Sequence, residues 1–266
     1  MKNIVYSLVF LLFVACSQDI DLDLPTYEPR LTIEFYLEEG RPIRAFLQES
    51  LNYTDERIIN TMEGATVILR YKNQMDTLQN RIFIDSAFNK VYNYFNPKIF
   101  YPEHNVDYHL YVKDKQGREL FSTARYSDPV KIDSIAYDFN QEGEARIGLV
   151  FTDPREKINF YRIVAFPADT VITEDETWDF SLSDNSFNGD RFSFFTGFTF
   201  KNGRKVIARL YNLDPKHNEF AESVSTARQS NFNPFGQPAP LRGNIIGGHG
   251  IFTILSYDEV LVTLVE

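Results

Sequence analysis

The residues with the clearest capacity for inorganic chemistry run from Asp184 to Asp190. Asp184, Ser186 and Asn188 place oxygen-bearing side chains at loop positions one, three and five, with Gly189 at six and Asp190 after it. A calcium loop needs this pattern, in which hard oxygens surround a sharp turn that glycine permits. Position twelve, where such a loop carries a bidentate glutamate, is Phe195. A complete EF-hand is therefore excluded, and a half-loop would need Glu174, Asp175 or Glu176 to fold back. The plainer alternative is a solvated turn nucleated by Asp and Asn-Gly. His104, His109, His217 and His249 show no HxH or HExxH spacing, so zinc has no local motif. Serine hydrolysis lacks a Gly-x-Ser-x-Gly elbow, and Cys16, the single cysteine, excludes both disulfides and multi-thiolate metal sites. The 37 acidic residues allow many carboxylate pairs for glycoside hydrolysis without singling one out. No catalytic residue stands out, and calcium is the one cofactor with a partial motif.

Aromatic side chains are the stronger argument for binding. Tyr92, Tyr94 and Tyr101 lie with Phe95 and Phe100 around Asn93 and Asn96, and Trp178 sits between Thr177 and Asp179. Rings beside amides and carboxylates suit stacking on a sugar or docking a partner. Sheet cores also consume aromatic residues, so much of Phe187 to Phe200 is expected to be core. The net charge of −10 repels phosphate, which excludes nucleic acid and anionic lipid as partners through a basic face.

The elements that must hold these residues are strands. Leu31, Ile33, Phe35 and Leu37 alternate with Thr32, Glu34 and Tyr36, and Ile43, Ala45 and Leu47 repeat the period of two. Further strands are expected at Ala65 to Tyr71, Val106 to Lys113 and Glu119 to Tyr126, the last two joined through Asp114-Lys115-Gln116-Gly117-Arg118. A hairpin is expected within Asp76 to Asp85, around Gln79-Asn80. After Ser127-Asp128-Pro129, strands resume at Ile132 to Phe139, Arg146 to Thr152, Tyr161 to Pro167, Phe192 to Phe200 and Lys205 to Asn212. Asp214-Pro215 caps one helix over Pro215 to Gln229, with Phe220, Val224 and Ala227 on its packed side. The closing strands are Gly250 to Leu255 and Glu259 to Val265. The expected fold is all-β, with two β-sandwich domains of immunoglobulin-like or fibronectin III-like type and one short helix in the second. Residues 30–127 form the first sandwich and 128–266 the second, which carries an acidic excursion at 169–190 and a Gly/Pro-rich tail loop.

The start of the chain has its own logic. Lys2 precedes an apolar run from Ile4 to Val14, too short for a comfortable membrane span, and the run ends in Phe13-Val14-Ala15-Cys16. This resembles the lipobox of bacterial lipoproteins, in which residues 1–15 are a signal peptide and the cysteine, Cys16, carries acyl chains such as palmitate. Asp19, Asp21 and Asp23 in the linker 16–29 resemble the cue that sends Bacteroidota lipoproteins to the outer face of the outer membrane. Four Asp-Ser/Thr-apolar triplets, at Thr77, Ser86, Ser134 and Thr170, resemble the O-glycosylation acceptor of exported proteins of that group.

Near the end, Asn233-Pro234-Phe235, then Asn244-Ile245 and Gly247-Gly248-His249-Gly250-Ile251-Phe252, resemble the closing signature of the DUF4249 family of lipoproteins. Ile132-Asp133-Ser134-Ile135 and Asp153-Pro154 fall in the family's order. The glycines would let the tail approach the core at positive φ. The resemblance implies a surface-exposed, non-catalytic binding or accessory subunit, anchored in the outer membrane by lipid and working with a TonB-dependent, SusC-like transporter barrel on an extracellular solute. The competing expectations are a structural or assembly lipoprotein without a small ligand and, third, a hydrolase.

Overall fold

Alternation of apolar and polar residues gives most of the chain one face to bury and one to expose, and the result is sheet almost throughout. A computed structural model of the chain describes residues 28–51, 60–85, 90–168, 176–232 and 239–266, the side chains of 231 and 232 excepted. Cys16, Ser86, Thr170 and the Asn233-Pro234-Phe235 turn lie outside the described residues. The strands are β1 (Leu31–Glu38), β2 (Pro42–Glu49), β3 (Thr66–Tyr71), β4 (Gln74–Asp85), β5 (Lys90–Ile99), β6 (Asp107–Lys113), β7 (Glu119–Arg125) and β8 (Ile132–Phe139). They continue as β9 (Glu144–Thr152), β10 (Phe160–Pro167), β11 (Trp178–Ser183), β12 (Arg191–Phe195), β13 (Phe200–Lys201), β14 (Lys205–Leu213) and β15 (His249–Thr263). One helix, α1 (Pro215–Phe232), stands between β14 and β15. No helix among the described residues is long and apolar enough to cross a membrane.

Eleven strands form one continuous sheet in the order β11-β10-β14-β15-β1-β2-β5-β4-β3-β6-β7, and β12, β9, β13 and β8 form a second. Two cores result. In the first, the large sheet folds over so that Ile33, Phe35 and Leu47 meet Val67, Leu110 and Leu120. In the second, Ile147, Leu149 and Phe151 of β9 pack against Tyr161, Ile163, Ala208 and Leu210. The all-β architecture with two sandwiches matches the expected fold class. Its seam is the 15-residue β15, which pairs in parallel with β1 from His249 to Leu255 and antiparallel with β14 from Ser256 to Thr263. Phe252 and Ile254 thus belong to the first core and Val262 to the second. The tail of the sequence completes the sandwich built by its beginning.

Local chemistry explains several joints. Asp114 Oδ1 accepts from the backbone N–H groups of Gln116 and Arg118, both at 2.9 Å, and Gly117 takes φ +87°, which closes the β6–β7 hairpin. Asp214 Oδ1 accepts from Lys216 N at 2.8 Å and caps α1 as expected. The hairpin expected around Gln79-Asn80 is absent: β4 runs unbroken over 12 residues, with a bulge between Asn80 and Phe83, and its turn lies earlier, at Lys72-Asn73. The interval 169–190 is not a pure excursion either, since its end supplies β11, which pairs with β10 at the sheet edge. An edge strand tolerates alternating polar residues on its open side, which disguised Trp178 to Ser183 as loop. Phe192 to Phe200 is split into β12 and β13, both paired to β9.

Candidate functional site

Three arginines sit in mid-strand with a buried core residue on each side. Arg44 lies between Ile43 and Ala45, Arg162 between Tyr161 and Ile163, and Arg209 between Ala208 and Leu210. Because successive strand residues face opposite ways, all three point to the outer face of the large sheet, away from the two cores. That face is concave where β10, β14, β15, β1, β2 and β5 run side by side. It holds a cavity of about 230 Å³ lined by Tyr36, Glu38, Arg44, Lys90, Tyr92, Arg162, Val164, Phe166, Thr177, Asp179, Tyr211, Leu213, His217 and Leu255. The site spans the seam, taking residues from both halves of the chain.

A buried ion network floors the cavity. Glu38, 4% exposed, accepts from Arg44 Nη2 at 3.0 Å and from the Tyr257 hydroxyl at 3.2 Å, with Arg209 Nη1 at 3.6 Å. Arg44 also approaches Asp85 at 3.4 Å. Arg209 donates to Glu259 at 2.7 Å and to the Tyr211 hydroxyl at 2.8 Å, and its guanidinium stacks 4.0 Å from the Tyr257 ring centroid. Burial works against the charge of Arg44, but Tyr92 and Glu38 outweigh it and hold the group above its ordinary value. Burial pushes the hydroxyls of Tyr36, Tyr92 and Tyr211 up, so all three remain protonated donors at neutral pH. Arg162 donates to both oxygens of Asp179, Nε at 2.8 Å. The Lys90 ammonium stands 5.7 Å from the Tyr36 ring centroid, and among the described residues no carboxylate lies within ion-pair distance of it. Arg44 Nε is buried without a hydrogen-bond partner.

His217 closes one end, in the first turn of α1, with its ring 5.6 Å from that of Tyr36. Burial, then Arg162, then Lys90 lower its pKa to about 4. The unfolded chain, with histidine near its ordinary 6.5, takes up this proton first. His217 therefore makes its full contribution to stability above pH 6.5, loses it as pH falls toward 4, and levels off below. The loss is on the order of 3 kcal/mol. Unfolding measured from pH 7 to pH 4 is expected to show a shallower loss in His217→Gln than in the natural chain. Equal slopes would mean that carboxylates alone carry the acid sensitivity.

Of the aromatics singled out by sequence, only Tyr92 lines this cavity. Tyr94 is fully buried in the first core, where its hydroxyl accepts from Ala65 N at 2.9 Å. Tyr101 is 66% exposed and joins neither core. Trp178 is half-buried against the second core, beside Gly197, and is not a free loop ring. It opens β11, so the pleat turns its indole inward, and the indole N–H finds no partner.

The calcium half-loop disperses in the same way. Asp184 is fully buried, and its Oδ2 accepts from Asn159 N at 2.8 Å, while Ser186, Asn188 and Asp190 are exposed. The neighbouring Asp153 accepts from Gly189 N at 2.7 Å and from the Tyr161 hydroxyl, while Asp184 Oδ1 is buried without a hydrogen-bond partner among the described residues. No three His, Cys, Asp or Glu side chains converge on a metal-sized site among the described residues. Thr77 and Ser134 are exposed on β4 and β8. The cavity's arginines and His217 were not singled out from sequence; the signal that could have found them is a cation flanked on both sides by core residues.

Residues 17–260 match the family model described as "Domain of unknown function (DUF4249)". The chain belongs to the DUF4249 family. No curated protein matches it. Among solved structures, this DUF4249 chain is similar to a chain titled "Cytokine receptor complex" at 12% identity, covering 66% of this chain and 89% of that one with a TM-score of 0.26. It is also similar to the chicken CNTN1 FN1–FN3 domains at 9% identity, covering 91% and 66% with a TM-score of 0.26. A DUF3823 family protein from Bacteroides uniformis matches at 13% identity, covering 89% and 100% with a TM-score of 0.27.

Proposed function

We propose that this DUF4249 chain is a lipid-anchored, surface-exposed outer-membrane protein that binds an extracellular solute as a non-catalytic accessory of a TonB-dependent, SusC-like transporter. The observation that carries the binding role is the seam cavity, whose concave wall combines apolar rings with a few convergent polar groups, the usual make-up of a small-molecule site. Its position across β15 means that an occupant touches both sandwiches at once. Attachment rests on Phe13-Val14-Ala15-Cys16 behind an apolar run and on the acidic linker that follows.

Two measurements test the two halves of this reading. Cells fed an alkyne-tagged palmitate are expected to label the natural chain and not Cys16→Ser, which should also leave the membrane fraction; a labelled Cys16→Ser would refute the anchor. A pull-down from detergent-solubilised outer membranes is expected to recover a transporter barrel. Recovery of the chain alone would remove the accessory role and leave a tethered protein acting by itself.

A further inference from the structure

The charges around the seam cavity are not evenly available. Glu38 is engaged through one oxygen by Arg44 and through the other by Tyr257 with Arg209 beside it, and Asp179 is engaged through both oxygens by Arg162. A cationic ligand would find its would-be partners occupied. The charge that remains available is cationic: Lys90 faces no carboxylate within ion-pair distance among the described residues, while the Arg44 guanidinium is held by Glu38 and Asp85. Around the cavity, Arg44 is matched by Glu38 and Asp85, Arg162 by Asp179 and Arg209 by Glu259, which leaves Lys90 as the cation without a carboxylate among the described residues. Tyr36, Tyr92 and Tyr211 contribute ring faces and Val164, Leu213 and Leu255 an apolar wall. The volume of about 230 Å³ is below the roughly 300–1,000 Å³ of sites that bury drug-sized ligands. A single ring fits that scale; an oligomer does not.

Resting on the proposal that the cavity binds a solute, we infer that its ligand class is a small aromatic monocarboxylate, with the ring between the tyrosines and the carboxylate toward Lys90. A lone ammonium matches one carboxylate better than the two or more charges of a phosphate. The ring supplies what the tyrosine faces can stack against.

Calorimetric titration of the mature chain with benzoate, benzamide, benzylamine and phenyl phosphate separates the alternatives. Benzoate is expected to bind saturably, benzamide about tenfold or more weaker for want of the charge-assisted hydrogen bond, and benzylamine not at all. Lys90→Met, at an exposed strand start, is expected to leave the unfolding midpoint in place and to weaken benzoate about tenfold. Phenyl phosphate binding more tightly than benzoate would overturn the choice of carboxylate. Benzamide or benzylamine matching benzoate, or an unchanged affinity in Lys90→Met, would overturn the inference. Absence of binding by all four probes overturns it as well, whatever the membrane pull-down recovers. Saturable benzoate binding without a recovered barrel leaves it standing and removes only the transporter role.

Discussion

Gly250→Ala is expected to cost about 3 kcal/mol or more of folding stability, the sum of a left-handed backbone strain of roughly 1–3 kcal/mol and an overpacking term of similar size. Gly250 holds φ +118° and is registered with Ile33 in the parallel β1–β15 pairing. A Cβ there would lie 1.8 Å from the Ile33 carbonyl oxygen and 2.7 Å from its carbon, and both atoms are backbone that cannot swing aside. Relief requires β15 to draw away from β1. Since the same strand continues into the second sandwich, the displacement is felt in both cores. Against a typical total of about 5–15 kcal/mol, such a loss moves the urea midpoint far. Gly40→Ala is the control, because Gly40 also has positive φ, +70°, but nothing lies within 4 Å of its added Cβ. If the two variants unfold at the same midpoint, close approach to Ile33 is not what this glycine provides.

Glu38→Ala is expected to cost about 3–5 kcal/mol, the usual consequence of removing one partner from a buried ion pair. Glu38, Arg44 and Arg209 are each about 4% exposed. Without the carboxylate, Arg44 keeps Asp85 at 3.4 Å and the Pro42 carbonyl at 3.3 Å, Arg209 keeps Glu259 and the Tyr211 hydroxyl, and the Tyr257 hydroxyl loses its acceptor. The penalty therefore arises more from guanidinium charge stranded away from water than from the missing hydrogen bonds themselves. A double-mutant cycle makes this visible: Glu38→Leu combined with Arg44→Met should recover part of the loss shown by either single change. Strict additivity in the cycle would show that the two groups do not sense each other. The same network sets the shape of the cavity floor, so Glu38→Ala is also expected to blunt ligand binding.

Much of the fold was legible because it is written in short-range patterns. The alternation Leu31, Ile33, Phe35, Leu37 names one face of β1, and those residues are 1% exposed or less. Asp114 to Arg118 and Asp214-Pro215 carry their turn and cap chemistry within a few residues. The glycines of the tail announced a close approach, and Gly250 makes it. Where the pattern misled, a distant neighbour had intervened. Tyr92 and Tyr94, two residues apart, should share a face, yet Tyr92 lines the outer cavity and Tyr94 lies in the first core. Between them Asn93 bonds Leu47 both ways, accepting from its N–H at 2.8 Å and donating to its carbonyl at 2.7 Å, beside the bulge opposite in β4. At Asp184 the sequence shows an oxygen donor in a turn and not the Asn159 amide, far along the chain, that its Oδ2 accepts from.

Period, turn chemistry and a tail signature are local properties of the chain, and they were enough to specify the all-β class, the two-sandwich plan, the capped helix and the family. Long-range pairing alone made β15 a member of both sandwiches and brought Arg44, Arg162, Tyr211 and His217 to one cavity. Alternation tells a strand which face to bury and says nothing about which strand lies beside it. A site made across β2, β10, β14 and α1 exists only once the folded chain has chosen those neighbours.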